Sequence, residues 1–231
     1  MPRKQATTLT EIDDASFVHR SDHGLKQTQM SDIAKKLRIS VGTLYLYVEN
    51  KEAFLALAST LLLTPESLEN APLPYKSLPR EQIVQLFLDI ASEWAKWPTL
   101  EQAIKDKATD IETFRAIGFE LYDLIATHKR AIWFLDRLAA ELPEIAPIHL
   151  NNVRGRTLGD LTRLLVASGQ SSIKPDGLAL MARVALEQIS WSAMHRHRAG
   201  LDAQPTGNLT EDDIRDLAIH AFSSTLQAAL R

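Results

Sequence analysis

No cysteine occurs in the 231 residues. Disulfides, thiolate metal sites and cysteine nucleophiles are therefore excluded, and the composition suits a reducing compartment such as the cytoplasm. Long apolar runs are also missing. The stretch "FLALASTLLL" (Phe54 to Leu63) falls far short of the ~20 residues that cross a bilayer. The opening "MPRKQATTLTEIDD" has no apolar segment behind its basic residues, so no secretory leader is expected. Nor is there a basic excess: 26 Lys and Arg against 29 Asp and Glu give a net charge of −3. That excludes a wholly basic nucleic-acid protein but leaves room for a local basic patch. No Gly-rich phosphate loop, G-x-S-x-G or H-E-x-x-H occurs, and no catalytic constellation replaces them. What is present is ordinary globular composition, 45% apolar and 24% charged, enough for one large or two modest domains.

Helical periodicity dominates, and the fold class expected is all-α. Ile83, Phe87, Ile90 and Trp94 recur at helical spacing behind Pro79, which suits a first turn. Thr99 with Gln102 reads as a capping box for a helix reaching about Ala108. An amphipathic helix follows over Ile111–Ala126. The stretch "AIWFLDRLAAEL" (Ala131 to Leu142) is apolar nearly all round and predicts a separate buried helix. Further helices are expected over about Pro143–Ser168, Pro175–Arg198 and Thr210 to the end, the last capped by Thr210 with Asp213. "TPESLENAPLPYKSLP" (Thr64 to Pro79) holds four prolines and "GLDAQPTGN" (Gly200 to Asn208) is similarly turn-rich. The division expected is a small N-terminal domain over 1–63, with a connecting helix at 50–63, a linker at 64–78, and a larger helical domain over 79–231.

Composition conflicts with context at "SVGTLYLYV" (Ser40 to Val48), a run of strand formers in a helical chain. Before it, Thr28 can cap a short helix with Asp32 in its first turns and Ile33 and Leu37 on one face. After a turn at Arg38 and Ile39, Ser40 is a good N-cap for a second helix. There Leu44 and Val48 face the core with Val41, leaving Gly42, Thr43, Tyr45, Leu46 and Tyr47 largely outward. This is the layout of a helix-turn-helix, whose second helix enters the major groove of DNA. Tertiary packing then overrides the poor helix propensity. Thr43 can bond a base or phosphate, Tyr45 and Tyr47 can reach phosphates, and Gly42 permits close backbone approach. Lys26, Lys35, Lys36, Arg38 and Lys51 make the surroundings locally basic. A plain helical hairpin with a solvated lysine face is the bland alternative. The residues expected at DNA are Thr28, Arg38, Val41, Gly42, Thr43, Tyr45, Leu46, Tyr47 and Lys51, with Lys51 and Tyr47 on phosphates and Thr43 and Tyr45 selecting sequence.

"GLKQTQMSDIAKKLRISVGTLYLYVENKEAF" resembles the DNA-binding domain of the tetracycline-repressor (TetR) family. The resemblance is carried by Gly24, Thr28, Asp32-Ile33-Ala34, Ser40, Gly42-Thr43-Leu44-Tyr45 and Lys51-Glu52, with Ile12 and Ala15 matching helix one more weakly. Where the family usually places a small residue and Gly in the turn, this chain has Leu37-Arg38, which is strained if the turn needs positive φ. The usual aromatic after the tyrosine segment is Val48, and His19 and Arg20 replace apolar residues late in helix one. The resemblance implies a homodimeric, ligand-responsive regulator, a repressor released from a palindromic double-stranded DNA operator by a small apolar or aromatic effector. It implies a dimer built from late helices, 175–198 with either 143–168 or 210–230. The sequence alone does not choose between those two.

Trp94, Phe114, Tyr122 and Trp133 lie on helices expected to pack together, either as plain core or, as the resemblance implies, as the wall of an effector cavity with Asp136 as a polar hook. Ala182, Ala185 and Ile189 make a row of small residues for close helix contact, inside the domain or across a subunit interface. His19 and His23 flank Asp22 at helical spacing, but no third ligand accompanies them, so neither metal nor cofactor is expected. His195 and His197 with Arg196 and Arg198 read as a basic helix C-terminus. The alternative to a regulator is an all-α enzyme using its carboxylates, or an interaction module with a vestigial DNA domain.

Overall fold

A computed structural model describes residues 6–24, 27–63, 68, 70–94, 96–197 and 207–231, the side chains of 18–23, 63 and 153 excepted. The His19–Asp22–His23 side chains, Lys26, the head of the proline-rich stretch, Arg198 and most of the 200–208 loop fall outside these. Among the described residues the fold is all-α, its only extended pairing an isolated bridge between Val48 and Tyr75. No described helix is long and apolar enough to cross a membrane. Contacts divide the chain into two compact units. One comprises the residues up to Ser92 with Trp133–His149, the other Glu93–Ile132 with Leu150–Arg231.

The first unit opens with α1 (Leu9–His23), started by a capping box at Thr8 and Glu11. The Thr8 hydroxyl accepts from Glu11 N–H at 3.2 Å while the Glu11 carboxylate accepts from Thr8 N–H at 2.8 Å. The Thr8 N–H bond first, then a bond from the Thr7 hydroxyl at 3.0 Å, hold the Glu11 carboxyl below its ordinary value. Helices α2 (Met30–Leu37), α3 (Val41–Leu44) and α4 (Ala53–Leu63) follow. Ile12, Ala15, Ile33, Ala34, Leu44, Val48, Phe54 and Leu57 form their shared core. Full burial of side chains such as Phe54 contributes roughly 1.5–3 kcal/mol each, which is how a single-turn α3 of strand formers persists.

The part of the expected linker that is described packs onto this core. Tyr75 N–H donates to Tyr47 C=O at 2.7 Å and Glu49 N–H donates to Tyr75 C=O at 2.9 Å. The Tyr75 hydroxyl lies 2.8 Å from that of Thr60. Most of α5 (Arg80–Trp94) completes the unit, with Phe87 packed on Phe134 at a ring distance of 6.0 Å.

Where two helices were expected over 111–142, a single 31-residue helix α7 (Ile111–Glu141) runs through both units. The polar residues at 127–130 include neither Gly nor Pro, so nothing breaks the helix. The helix expected from Pro143 is likewise corrected. Pro143 and Pro147 confine that stretch to turns, then a π-helix over Ile148–Arg154, before α8 (Gly155–Ser168). Gly155 closes the wide turn, since a Cβ there would overlap the Leu150 carbonyl oxygen.

In the second unit α6 (Pro98–Asp106) starts at Trp97 rather than at the expected Thr99–Gln102 box, and Thr99 N–H donates to the Glu120 carboxylate. Helix α9 (Pro175–Ala193) ends before His195–His197, a single 3₁₀ turn. Ala182, Ala185 and Ile189 are fully buried, so the small-residue row packs inside the unit. The Thr210–Asp213 capping box is formed and starts α10 (Glu211–Ala228), which packs along α9.

Candidate nucleic-acid interface

The turn between α2 and α3 is built from backbone chemistry. Past the end of α2, Arg38 takes φ 56 and ψ 37, the left-handed conformation that the missing glycine would adopt freely. Arg38 N–H donates to Lys35 C=O at 3.1 Å and Ile39 N–H to Ala34 C=O at 3.0 Å, a Schellman closure. Ser40 then caps α3: its hydroxyl accepts from Thr43 N–H at 3.0 Å and lies 2.8 Å from the Thr43 hydroxyl. Leu44 is fully buried. Past α3 the helical hydrogen bonding continues, with Val48 N–H donating to Leu44 C=O at 3.1 Å.

This register decides which side chains face out. Val41, Tyr45 and Leu46 are 38, 47 and 67% exposed, and Arg38 and Gly42 are exposed beside them. Thr43 is half-buried against Ser40, and Lys51 is half-buried. Lys35 and Lys36 supply exposed positive charge from α2. Three expectations need correction. Val41 faces out rather than into the core, because the helical turn starting at Ser40 points only Leu44 inward. Tyr47 is 7% exposed, and its hydroxyl accepts from Ala6 N–H at 3.1 Å. It anchors the segment before α1 instead of reaching for phosphate. Thr28 is fully buried, donating its hydroxyl to Gly24 C=O at 2.8 Å, and the N-cap of α2 is Gln29.

An exposed mixed apolar and hydroxyl-bearing surface on a capped helical turn, flanked by cations, has the layout of a helix-turn-helix unit. Residues 14–58 match the family model "Bacterial regulatory proteins, tetR family". Over those residues the chain is similar to the DNA-binding domain of that family. No curated protein matches the chain. Among solved structures it is similar to a TetR-like transcriptional regulator from Rhodococcus sp. RHA1, with 19% identity over 98% of each chain and a TM-score of 0.47. It is also similar to the fatty acid degradation regulator FadR from Bacillus halodurans, with 17% identity over 94% of each chain and a TM-score of 0.45. A third is AibR, solved with isovaleryl coenzyme A and operator DNA, with 17% identity over 91% of this chain and 95% of that one and a TM-score of 0.48.

The five residues nominated for an effector wall are not brought together within either unit. Trp94, Phe114 and Tyr122 belong to the second, Trp133 and Asp136 to the first. Phe114 is fully buried core. Trp94 is half-buried and stacks on His128 at 4.8 Å, where burial holds the imidazole below its ordinary pKa. Tyr122 is buried beside Arg196, whose guanidinium pairs with Glu211. Asp136 accepts from His149 Nε2 at 2.7 Å, and His149 is buried. Sequence reasoning missed His149, which lies on the π-helix where helical periodicity gives no signal. A groove of about 740 Å³ between α9 and α10 is lined by Val184, Trp191, Leu209, Ile214 and Leu217 among others, and contains none of the five.

Proposed function

We propose that the chain is a ligand-responsive transcriptional repressor that binds a palindromic operator as a homodimer and is released by a small apolar or aromatic effector. The observation that carries the DNA-binding half is the Ser40-capped turn presenting Val41, Gly42, Tyr45 and Leu46 to solvent inside the stretch similar to the tetR family's DNA-binding domain. Exposed apolar groups on such a turn suit thymine methyls, and Thr43 and Tyr45 supply the hydroxyls that select sequence. Lys51, with Lys35, Lys36 and Arg38, holds phosphates.

The α9–α10 groove supports the dimer. Val184, Trp191, Leu209 and Leu217 are each between 38 and 56% exposed, an apolar face of the kind that soluble proteins cover. This favours α9 with α10 over α9 with the 143–168 segment. Two recognition turns would then sit about 34 Å apart, or a multiple, on successive major grooves. An effector releases DNA only by binding the DNA-competent state less tightly than the other. The chain's role on this reading is binding, without turnover, in the compartment that holds its DNA.

The test is selection of bound sequences from a random double-stranded pool at near-physiological salt. An enriched palindrome supports the reading. A folded dimer that enriches nothing overturns it. On the enriched site, Lys51→Ala weakens binding to all sequences and flattens the salt dependence by about one phosphate contact. Thr43→Ala instead changes the preference between operator variants.

A further inference from the structure

The recognition turn ends on bonds that its own helix cannot make. A helix leaves its last carbonyls without partners inside it, and α3 is a single turn of strand-forming residues with little propensity to hold its end. Past it, Leu46 N–H donates to Thr43 C=O and Tyr47 N–H to Leu44 C=O. The carbonyl of the buried Tyr47 is then taken by a segment from beyond α4. Tyr75 N–H donates to it at 2.7 Å, and Tyr75 C=O accepts from Glu49 N–H at 2.9 Å. These two bonds make the parallel bridge of Val48 with Tyr75, inside the first unit. The strap that carries Tyr75 is itself fixed elsewhere. The Tyr75 hydroxyl lies 2.8 Å from that of Thr60 on α4, and the residue packs on the core of the DNA-binding head. Four residues on, the Pro79 carbonyl accepts from Gln82 and Ile83 N–H and opens α5, which is rooted by the buried Ile83, Phe87 and Ile90. At no more than ~3.6 Å per residue, so short a stretch leaves Tyr75 little slack. Tyr45 and Leu46, the most exposed side chains of the turn, immediately precede the residue that this strap holds.

We propose that Tyr75 is a positioning residue for DNA recognition. It caps the recognition turn from outside the helix-turn-helix and so fixes the direction in which Tyr45 and Leu46 meet the bases. This rests on the DNA-binding reading above and adds to it a determinant of sequence specificity that lies beyond residues 14–58. Losing the cap has a particular signature. Base contacts need side chains held in one geometry, whereas the attraction of cations such as Lys35 and Lys36 to phosphates is independent of sequence. A loosened turn therefore loses operator binding and keeps non-specific binding. An unfolded head loses both.

The experiment uses the full chain, the operator enriched in the selection above, and random DNA of equal length. Tyr75→Pro removes the N–H that Tyr47 C=O accepts, and proline suits an extended backbone. Tyr75→Phe keeps both backbone bonds and loses only the hydroxyl. Hydrogen exchange at the Glu49 amide reports the strap, and exchange at the Leu44 and Val48 amides reports the turn itself. In Tyr75→Pro the Glu49 amide is expected to lose protection while Leu44 and Val48 keep theirs. The ratio of operator to random-DNA affinity is expected to fall about tenfold or more, the scale of one mismatched base pair, with random-DNA affinity unchanged. Tyr75→Phe is expected to keep the parent's ratio. An unmoved ratio in Tyr75→Pro overturns the proposal, as does a Glu49 amide that stays protected. Equal losses on both DNAs, or lost protection at Leu44 and Val48, also overturn it, because Tyr75 then holds the fold and does not aim the turn. A ratio that falls as far in Tyr75→Phe assigns the effect to the hydroxyl and defeats the backbone cap. A parent that enriches no sequence defeats the regulator reading and this inference with it, whereas an enriched operator with an unmoved ratio in Tyr75→Pro defeats this inference alone.

Discussion

Arg38 holds a left-handed backbone that costs a residue with a Cβ about 1–2 kcal/mol. Replacing it by glycine removes that strain but also removes an exposed cation beside the recognition turn. Arg38→Gly is therefore expected to raise Tm by ~2–4 °C and to weaken operator binding, with a smaller salt slope. Melting and binding isotherms check both halves, and a loss on both counts would show that the strain assignment is wrong. At the same scale, burial holds His128 below its ordinary 6.5, and burial followed by the Arg196 charge does the same to His197. Below about pH 6.5 the unfolded chain binds protons that the folded chain refuses, so stability rises with pH through this window and falls on acidification. The urea midpoint should drop between pH 7.5 and 5.5, and by less in His128→Gln. A flat profile in the parent would count against the burial argument.

Elements differ in how far their residues announce them. Helix α10 is legible because Thr210 and Asp213 cap each other within one turn, a local signal that tertiary context cannot move. The helix-turn-helix is legible for the same kind of reason, from Ser40 as cap and Leu44 as core. Its outward face is only partly so. Tyr45 and Tyr47 look alike in sequence, and only the packing of Ala6 and Tyr75 against the second of them reveals that it is buried. They should separate experimentally. Tyr45→Ala is expected to weaken operator binding with stability within about 0.5 kcal/mol of the parent, whereas Tyr47→Ala should cost about 3 kcal/mol or more. Denaturant midpoints and DNA titrations on both variants decide it, and equal stability losses would contradict the exposure difference. The continuity of α7 and the Asp136–His149 bond were not legible. The first depends on the absence of a breaker at 127–130, the second on a π-helix that follows no 3.6-residue period.

At the scale of the whole molecule, the α9–α10 face predicts oligomeric state. Leu217 is 56% exposed on the groove, so a charge there spares the fold but is incompatible with a covered apolar surface. Leu217→Glu is expected to turn a dimer into a folded monomer in light scattering and to lower operator affinity at least a hundredfold. A dimer that survives Leu217→Glu moves the interface elsewhere. The division of the chain has a different kind of consequence. Gly24, at φ 85 past the end of α1, lies so close to the Arg137–Glu141 ion pair that a Cβ would overlap both side chains. The DNA-binding head is thus completed by a segment more than a hundred residues downstream. A chimera that exchanges only the first 63 residues for those of another regulator would leave this seam mismatched. Recombination, natural or engineered, can transplant the specificity of this protein as a working part only when residues 133–149 travel with it.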